Sequence, residues 1–189
     1  AKDLKFGASQ QASLPTLAML AAIEIMELDA TVVSGYSSAS DRRLALEQGE
    51  IDAMSNTIDT AWAEWESTGK AKILFSLGLE RDPSFEEVPC IAEYVDLTDY
   101  HKELIAGVPN DYKMFFAPPN TPEDRIDYLR ASFLNVSEDK GYQKAIKSIS
   151  TYWQGAVSGE DLEAQIKKLG DNQEKYIDLF GGLIDKYCK

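Results

Sequence analysis

Thr31-Val-Val-Ser-Gly-Tyr-Ser-Ser-Ala-Ser-Asp-Arg-Arg-Leu-Ala-Leu-Glu-Gln-Gly-Glu-Ile-Asp52 is the stretch of sequence that decides the fold. It begins with β-branched residues that favour a strand, and Gly35 then allows the backbone to turn. Ser38 stands three residues before Asp41, a spacing typical of a helix start, where the serine hydroxyl accepts a hydrogen bond from a free amide. Gly49 ends this helix before a second strand. The stretch therefore predicts a βαβ unit.

In such a unit, hydroxyl groups and unpaired backbone N–H groups gather where the strand ends and the helix begins. Sheets of α/β proteins bind small anions at this edge, helped by the helix dipole. The same pattern is also typical of an ordinary βαβ corner that binds nothing. The residues alone leave both interpretations open.

The chain of 189 residues is strongly acidic, with a net charge of −13. This charge argues against nucleic acid and anionic membrane surfaces as partners. An anionic ligand would need a local site built from amides and hydroxyls. Glutamates interrupt the most apolar segment, residues 14–28, so no membrane span is predicted. Cys90 and Cys188 lie far apart in sequence, and we expect two free thiols.

Strand and helix patterns alternate in the first part of the chain, which predicts parallel strands joined by helical crossovers. The second part is rich in proline between residues 83 and 122 and then becomes helical. We expect strands at residues 4–8, 31–34, 51–55, 72–77 and 114–117. We expect helices at residues 15–28, 40–48, 58–67 and 173–187, with further helices capped by Thr121 and Ser158.

Four segments carry motifs that follow one another in a fixed order. They are Lys5-Phe-Gly-Ala-Ser9; Gly35-Tyr36 with Asp41, Leu44-Ala-Leu46 and Gly49-Glu-Ile-Asp52; Leu77-Gly-Leu-Glu-Arg81 with Val88-Pro-Cys-Ile-Ala-Glu93; and Phe116-Ala-Pro-Pro-Asn-Thr-Pro122 with Leu129-Arg-Ala-Ser-Phe133. In this order they resemble the extracytoplasmic solute receptors of tripartite tricarboxylate transporters, the Bug-type binding proteins. The resemblance runs from near Leu4 to near Leu169.

The resemblance implies an α/β, periplasmic-binding-protein-like fold of type II. It implies one complete parallel-sheet lobe plus a partial, mostly helical second lobe. Residues 1–110 would be the ligand-binding lobe, which is the second lobe of the family. Residues 111–189 would supply the returning strand and helices of the other lobe, whose N-terminal segment is absent from this sequence. We expect that segment to have been removed or to come from another chain, or the exposed surface to be covered by self-association.

The resemblance also implies where a ligand binds, namely two loops at helix N-termini and the end of the third strand. Backbone amides and hydroxyls there would hold a carboxylate, and Tyr36 would close the cleft wall. Gln10 and Gln11 stand where the family has glycine or small residues, which would narrow the range of ligands. The candidate ligand-binding residues are Ser9, Gln10, Gln11, Ser13, Tyr36, Ser37, Ser38, Ser40 and Asn56. For each of them a plain turn or cap role is the alternative.

The function implied by the resemblance is capture of a small organic di- or tricarboxylate and its presentation to membrane transporter subunits, in the periplasm or another extracytoplasmic space. No catalytic residue, cofactor or metal is expected. One alternative is an interaction protein or fragment that has lost ligand binding. Another is a flavodoxin-like enzyme or redox module that uses Cys90.

Other conspicuous residues have simpler interpretations. His101, the one histidine, lies in a polar run typical of a solvated surface. Cys90 follows Val-Pro, with no histidine near it in sequence, so nothing local favours a nucleophile. Arg42 and Arg43 follow the capped turn. One of them can reach a carboxylate ligand, but we expect them to pair with Asp41, Glu47 or solvent.

Overall fold

The computed structural model describes residues 2–57, 60–83, 85–108, 114–149 and 155–188. Three strands of the described chain form one parallel sheet: β1 is Leu4–Gly7, β2 is Ala30–Val33 and β3 is Ala53–Met54. The strand order is β2-β1-β3, so β1 lies in the centre. Gly7 at the end of β1 pairs with Val33 on one side and with Met54 on the other. The predicted parallel sheet is therefore confirmed for its first three strands.

Helices make up most of the rest of the described chain. They are α1 (Leu14–Ile25), α2 (Ala39–Glu47), α3 (Thr60–Ser67), α4 (Asp99–Ala106), α5 (Glu123–Glu138), α6 (Lys140–Ile149), α7 (Gly159–Asp171) and α8 (Gln173–Tyr187), with a 3-10 turn at Ile91–Glu93. None of the described helices is both long and apolar enough to cross a lipid bilayer.

Two predicted strands are absent from the described residues. At residues 72–77, only Ser76 makes a β-bridge, to Cys90. Its neighbour there is a loop that leads into the 3-10 turn, so no ladder extends. Residues 114–117 have no regular secondary structure, because no described strand lies beside them. Phe115 and Phe116 are 76% and 83% exposed, and the ring of Phe115 stacks on Phe133 of α5 at 4.8 Å.

The hydrophobic core lies between the sheet and the helices α1, α4 and α8. Leu20 and Ile23 of α1, Val32 of β2 and Leu104 of α4 are completely buried. The last helix adds three further buried side chains, Phe180, Leu183 and Tyr187. The boundary at residues 110 and 111 stays a prediction, but α8 lies beyond it in sequence and packs into the core of the first part.

The helices α5 and α7 are packed differently. Every residue of these two helices is at least partly exposed to solvent. The ion pairs from Arg130 to Glu160 and Glu163 link them at the surface. Large apolar side chains remain accessible on α5, namely Tyr128, Leu129, Phe133 and Val136. This part of the chain therefore presents an apolar surface that nothing in the described residues covers.

Candidate ligand-binding site

The loops that follow the three strands emerge side by side at one edge of the sheet. Because the strands are parallel and end in register at Gly7, Val33 and Met54, the next residues of each lie together. Backbone hydrogen bonds continue this arrangement into the loops. Ala8 N donates to Val33 O at 2.9 Å, and Tyr36 N donates to Ala8 O at 3.4 Å. We call this edge, with the loops 8–13, 34–38 and 55–57, the carboxyl rim.

Two glycines shape the carboxyl rim. A Cβ atom at Gly7 would stand 2.4 Å from Cδ1 of Ile51 and 3.5 Å from the ring of Tyr36. The absent side chain thus lets Ile51 pack against the end of the central strand, with the Tyr36 ring at ordinary contact distance. Gly35 has a φ of 109°, a region that side chains disfavour, and it turns the chain from β2 towards α2. Tyr36 is half-buried, and its role in a cleft wall stays a prediction.

The start of α2 is capped as the sequence predicts. The Ser38 hydroxyl oxygen accepts a hydrogen bond from Asp41 N at 3.1 Å. The hydroxyl proton of Ser38 remains available to donate. The amides of Ala39 and Ser40 lie in the first helical turn, where the helix itself offers no acceptor. These donors and the positive end of the helix dipole favour an anion at this position. The exposed carboxylate of Asp41 opposes it by charge repulsion.

The first loop is held by a threonine that the sequence analysis missed. Thr16 is completely buried and donates its hydroxyl proton to Gln10 O at 2.6 Å. Its oxygen lies 2.9 Å from the Ser13 hydroxyl. Because Thr16 has a single proton, Ser13 must be the donor of that second bond. The Ser13 hydroxyl proton is therefore engaged inside the protein and is not available to a carboxylate.

The structure brings the predicted site residues to the same edge of the sheet. Ser9, Gln10, Gln11 and Ser13 lie on the first loop, Tyr36, Ser37, Ser38 and Ser40 on the second loop and the start of α2, and Asn56 on the third. Contact between these residues and a ligand stays a prediction. The glutamine side chains and those of Ser37 and Ser40 are exposed.

Arg42 is the second residue that the sequence analysis misjudged. Only 4% of its surface is exposed, and it pairs with neither Asp41 nor Glu47. Its Nη1 donates to Ser55 O at 3.4 Å and its Nη2 to Asn56 Oδ1 at 3.1 Å. Burial lowers the pKa of the guanidinium. The expected pairing with acidic neighbours or solvent is therefore wrong for Arg42.

Asn56 is oriented by this contact. Arginine has donors only, so the amide oxygen of Asn56 faces Arg42 and its nitrogen points away. Asn56 Nδ2 donates one proton to Thr57 O at 2.9 Å. The second amide proton has no acceptor among the described residues, and its donation to a ligand oxygen stays a prediction.

The remaining candidates lie apart from the carboxyl rim. His101 Nδ1 accepts from Thr98 N at 3.4 Å and so completes the cap of α4. Cys90 and Cys188 are free thiols, as predicted, and Cys90 is buried. Within the described ranges, no three His, Cys, Asp or Glu side chains gather as a metal site would require. A cavity of 260 Å³ lies between α2 and α3, lined by Arg43, Glu47, Glu64, Trp65, Thr68 and Lys70.

Neither a family model nor a curated protein sequence matches this chain. Among solved structures, it is similar to R. palustris Rpa4515 with adipate, at 20% identity and a TM-score of 0.65, over 95% of this chain and 56% of that chain. It is also similar to a TctC solute-binding protein from Polaromonas, solved with no ligand, at 21% identity and a TM-score of 0.56, over 97% of this chain and 57% of that chain.

The chain thus spans little more than half the length of these two structures. At these identities the likeness concerns the fold. The fold is α/β and periplasmic-binding-protein-like (type II), with one parallel-sheet lobe and a partial, mostly helical second part.

Proposed function

We propose that this chain forms the ligand-binding lobe of an extracytoplasmic solute-binding protein of the tripartite tricarboxylate receptor type. It captures a small organic di- or tricarboxylate and presents it to membrane transporter subunits. The capture involves no chemical conversion of the ligand. The cargo is held by backbone amides and hydroxyls of the carboxyl rim rather than by a cofactor.

The observation that carries this proposal is the convergence of three polar loops at one edge of a parallel sheet. Ligands of open α/β sheets bind outside the carboxyl ends of the strands. Here the start of α2 adds free amides and a positive dipole end, and the Ser38 hydroxyl keeps a free proton. The solved structures with the same fold include one that contains adipate, a dicarboxylate, and this agrees with an anionic cargo.

The overall charge of the chain makes the local arrangement decisive. At a net charge of −13, the long-range field repels an anion, so binding must come from short-range donors. Hydrogen bonds to a charged acceptor each contribute about 1.5–3 kcal/mol. Three or four such bonds would suffice for micromolar binding, because a Kd near ~1 μM corresponds to about 8 kcal/mol. Because salt screens this long-range repulsion more than it weakens the short-range contacts, we expect affinity to rise as the ionic strength is raised.

The first test is isothermal titration calorimetry of the purified chain with succinate, adipate and citrate, with 1,6-hexanediol as an uncharged comparison. We expect saturable one-site binding of at least one carboxylate and no heat from the diol. Native mass spectrometry of the same samples identifies the bound species. If none of the three carboxylates binds at millimolar concentration, the chain by itself is not a receptor.

A pair of variants with the same change of charge locates the site. Ser37→Asp adds a negative charge at the carboxyl rim, whereas Asn135→Asp adds one on the exposed surface of α5. Two like charges about 5 Å apart repel by roughly 1–3 kcal/mol at a protein surface. We expect Ser37→Asp to weaken binding on the order of tenfold and Asn135→Asp to leave it unchanged. Equal effects would place the ligand elsewhere.

A second candidate function is association with another polypeptide without a ligand. The exposed rings of Phe115 and Phe116 and the apolar side chains of α5 favour it, because contiguous exposed apolar surface often marks an interface. This candidate predicts a stable assembly whose melting temperature no carboxylate raises. An enzyme based on Cys90 has less support, since that side chain is only 2% exposed.

A further inference from the structure

Among the described residues, Arg42 is a buried positive charge without a negative partner. Its hydrogen-bond acceptors are the neutral oxygens of Ser55 and Asn56, and its Nε has no acceptor at all in the described structure. Neither Asp41 nor Glu47, the acidic residues near it in sequence, bonds to it. Holding an unpaired ion away from water costs several kcal/mol in a real protein. A bound anion near the guanidinium would offset this cost.

The position of Arg42 indicates where that charge belongs. The side chain runs from the first turn of α2 to the loop after β3, so it joins the start of α2 to one of the three loops of the carboxyl rim. The positive end of the α2 dipole points to the same place. The guanidinium and the helix start together concentrate positive potential in a chain whose net charge is −13.

Arg42 also fixes the geometry of a predicted ligand contact. By occupying the amide oxygen of Asn56, it forces Nδ2 to the other side, where one proton is bound by Thr57 O and the second is free. A lysine in its place would keep the charge but lose the flat fork that reaches Ser55 and Asn56 at once. A lysine substitution at Arg42 can therefore separate the effect of the charge from the effect of orienting the Asn56 amide.

We infer that Arg42 is the positioning residue of a carboxylate site at the carboxyl rim, supplying the positive charge that balances a ligand carboxylate and holding Asn56 ready to donate to it. This inference rests on the proposed function and deepens it. It specifies that one ionised carboxylate of the ligand lies over the start of α2, close to the loop 55–57. An ester at that end of the ligand carries no charge and would lose the attraction to Arg42 and to the start of α2.

The test compares four proteins: wild type, Arg42→Met, Arg42→Lys and Arg43→Met. The last removes the same charge from the next residue of α2, which lines the cavity between α2 and α3. The probes are adipate and its monomethyl ester, titrated by calorimetry. The ligand-free proteins are melted separately to measure stability.

For wild type we expect adipate to bind more tightly than its ester. Arg42→Met should weaken adipate binding on the order of tenfold and reduce the preference over the ester, since it removes a positive charge beside the proposed carboxylate position. Arg42→Lys should recover most of the charge preference, and Arg43→Met should bind as wild type does. Ligand-free Arg42→Met should melt no lower than wild type, because it removes an uncompensated charge.

Three results would overturn the inference, and they differ in what they say about the proposed function. If wild type binds adipate and Arg42→Met binds it equally well, the inference fails while the receptor function stands. If Arg42→Met lowers the melting temperature by several degrees and Arg42→Lys restores it, the arginine has a structural role. If wild type binds none of succinate, adipate and citrate, the proposed function fails and takes the inference with it.

Discussion

The contact between α1 and α8 allows a quantitative prediction. The carboxylate of Glu24 accepts hydrogen bonds from the Tyr187 hydroxyl at 2.6 Å, from Lys186 Nζ at 2.7 Å and, more weakly, from the Tyr100 hydroxyl at 3.5 Å. Tyr187 is only 9% exposed, whereas the Lys186 side chain is 56% exposed. Replacing Tyr187 by phenylalanine keeps the packed ring and deletes one hydrogen bond.

The expected cost of Tyr187→Phe is about 1–2 kcal/mol, because the acceptor is charged and the contact is partly buried. For a chain of this length, 1 kcal/mol lowers the melting temperature by roughly 2–4 °C. We therefore expect a decrease of about 2–8 °C. Lys186→Met removes an ion pair whose lysine is exposed and whose carboxylate keeps its bond to Tyr187, and it should cost no more than about 1 kcal/mol. The hydroxyl should thus contribute more than the charge.

The pH dependence follows from the pKa shifts of the two partners. Burial raises the pKa of Glu24, but the hydrogen bonds from Lys186 and Tyr187 outweigh it, and the pKa lies below its ordinary value. Burial and the bond to Glu24 raise the pKa of Tyr187. The carboxylate contribution is therefore present above about pH 4.3 and is lost as pH falls, and the hydroxyl contribution is present below about pH 10 and is lost as pH rises.

The assay is thermal and urea unfolding of wild type, Tyr187→Phe, Lys186→Met and the control Tyr128→Phe between pH 3 and 11. Tyr128 lies on α5 and is 72% exposed, so losing its hydroxyl should cost nothing. The difference between wild type and Tyr187→Phe should be largest near neutral pH and should shrink towards both ends. If Tyr187→Phe is no less stable than Tyr128→Phe, the hydrogen bond to Glu24 does not hold α8 in place.

Three further predictions concern other parts of the chain. Thr16→Val should destabilise the chain by about 1–3 kcal/mol and speed amide exchange in the loop 8–13, while Thr16→Ser keeps the hydroxyl and should be milder. Changing Phe115 and Phe116 together to serine should reduce association in sedimentation experiments. An unchanged sedimentation profile would show that these two rings do not contribute to association. The pair with Arg81 lowers the pKa of Glu93 to about 2, so a carbon-detected NMR titration should find Glu93 ionised at pH 3. The stability difference between wild type and Glu93→Gln should disappear only as pH falls from about 4.3 towards 2.

The parts of the fold that the sequence predicted correctly are those set by neighbours in sequence. The Ser38 cap depends on Asp41 three residues away, and the first two strands depend on runs of strand-forming residues. The strands expected at residues 72–77 and 114–117 failed for the opposite reason. A strand needs a partner strand, and the described residues offer Ser76 only a single bridge and residues 114–117 none.

The carboxyl rim was predictable in outline and not in detail. Loop positions follow from strand order, so the right loops could be named. Strand order does not show which side chains of α2 face the core. The inward face of this helix carries Arg42 and Ala45, while Leu44 stays 53% exposed. A hydrophobic pattern would have turned the leucine inwards. The role of Thr16 was hidden for a similar reason, as a single hydroxyl inside an apolar helix gives no signal in the sequence.

The position of α8 has a consequence for how the chain acquires its structure. Glu24 meets Lys186 and Tyr187 across 162 and 163 residues of sequence. On a ribosome, α1 is therefore synthesised long before the helix that covers it, and the core remains open until residues 186 and 187 have emerged. Contacts of such long sequence separation are slow to form, since a large loop must close first. During that interval, the nascent lobe exposes the apolar side chains of α1 that α8 later covers.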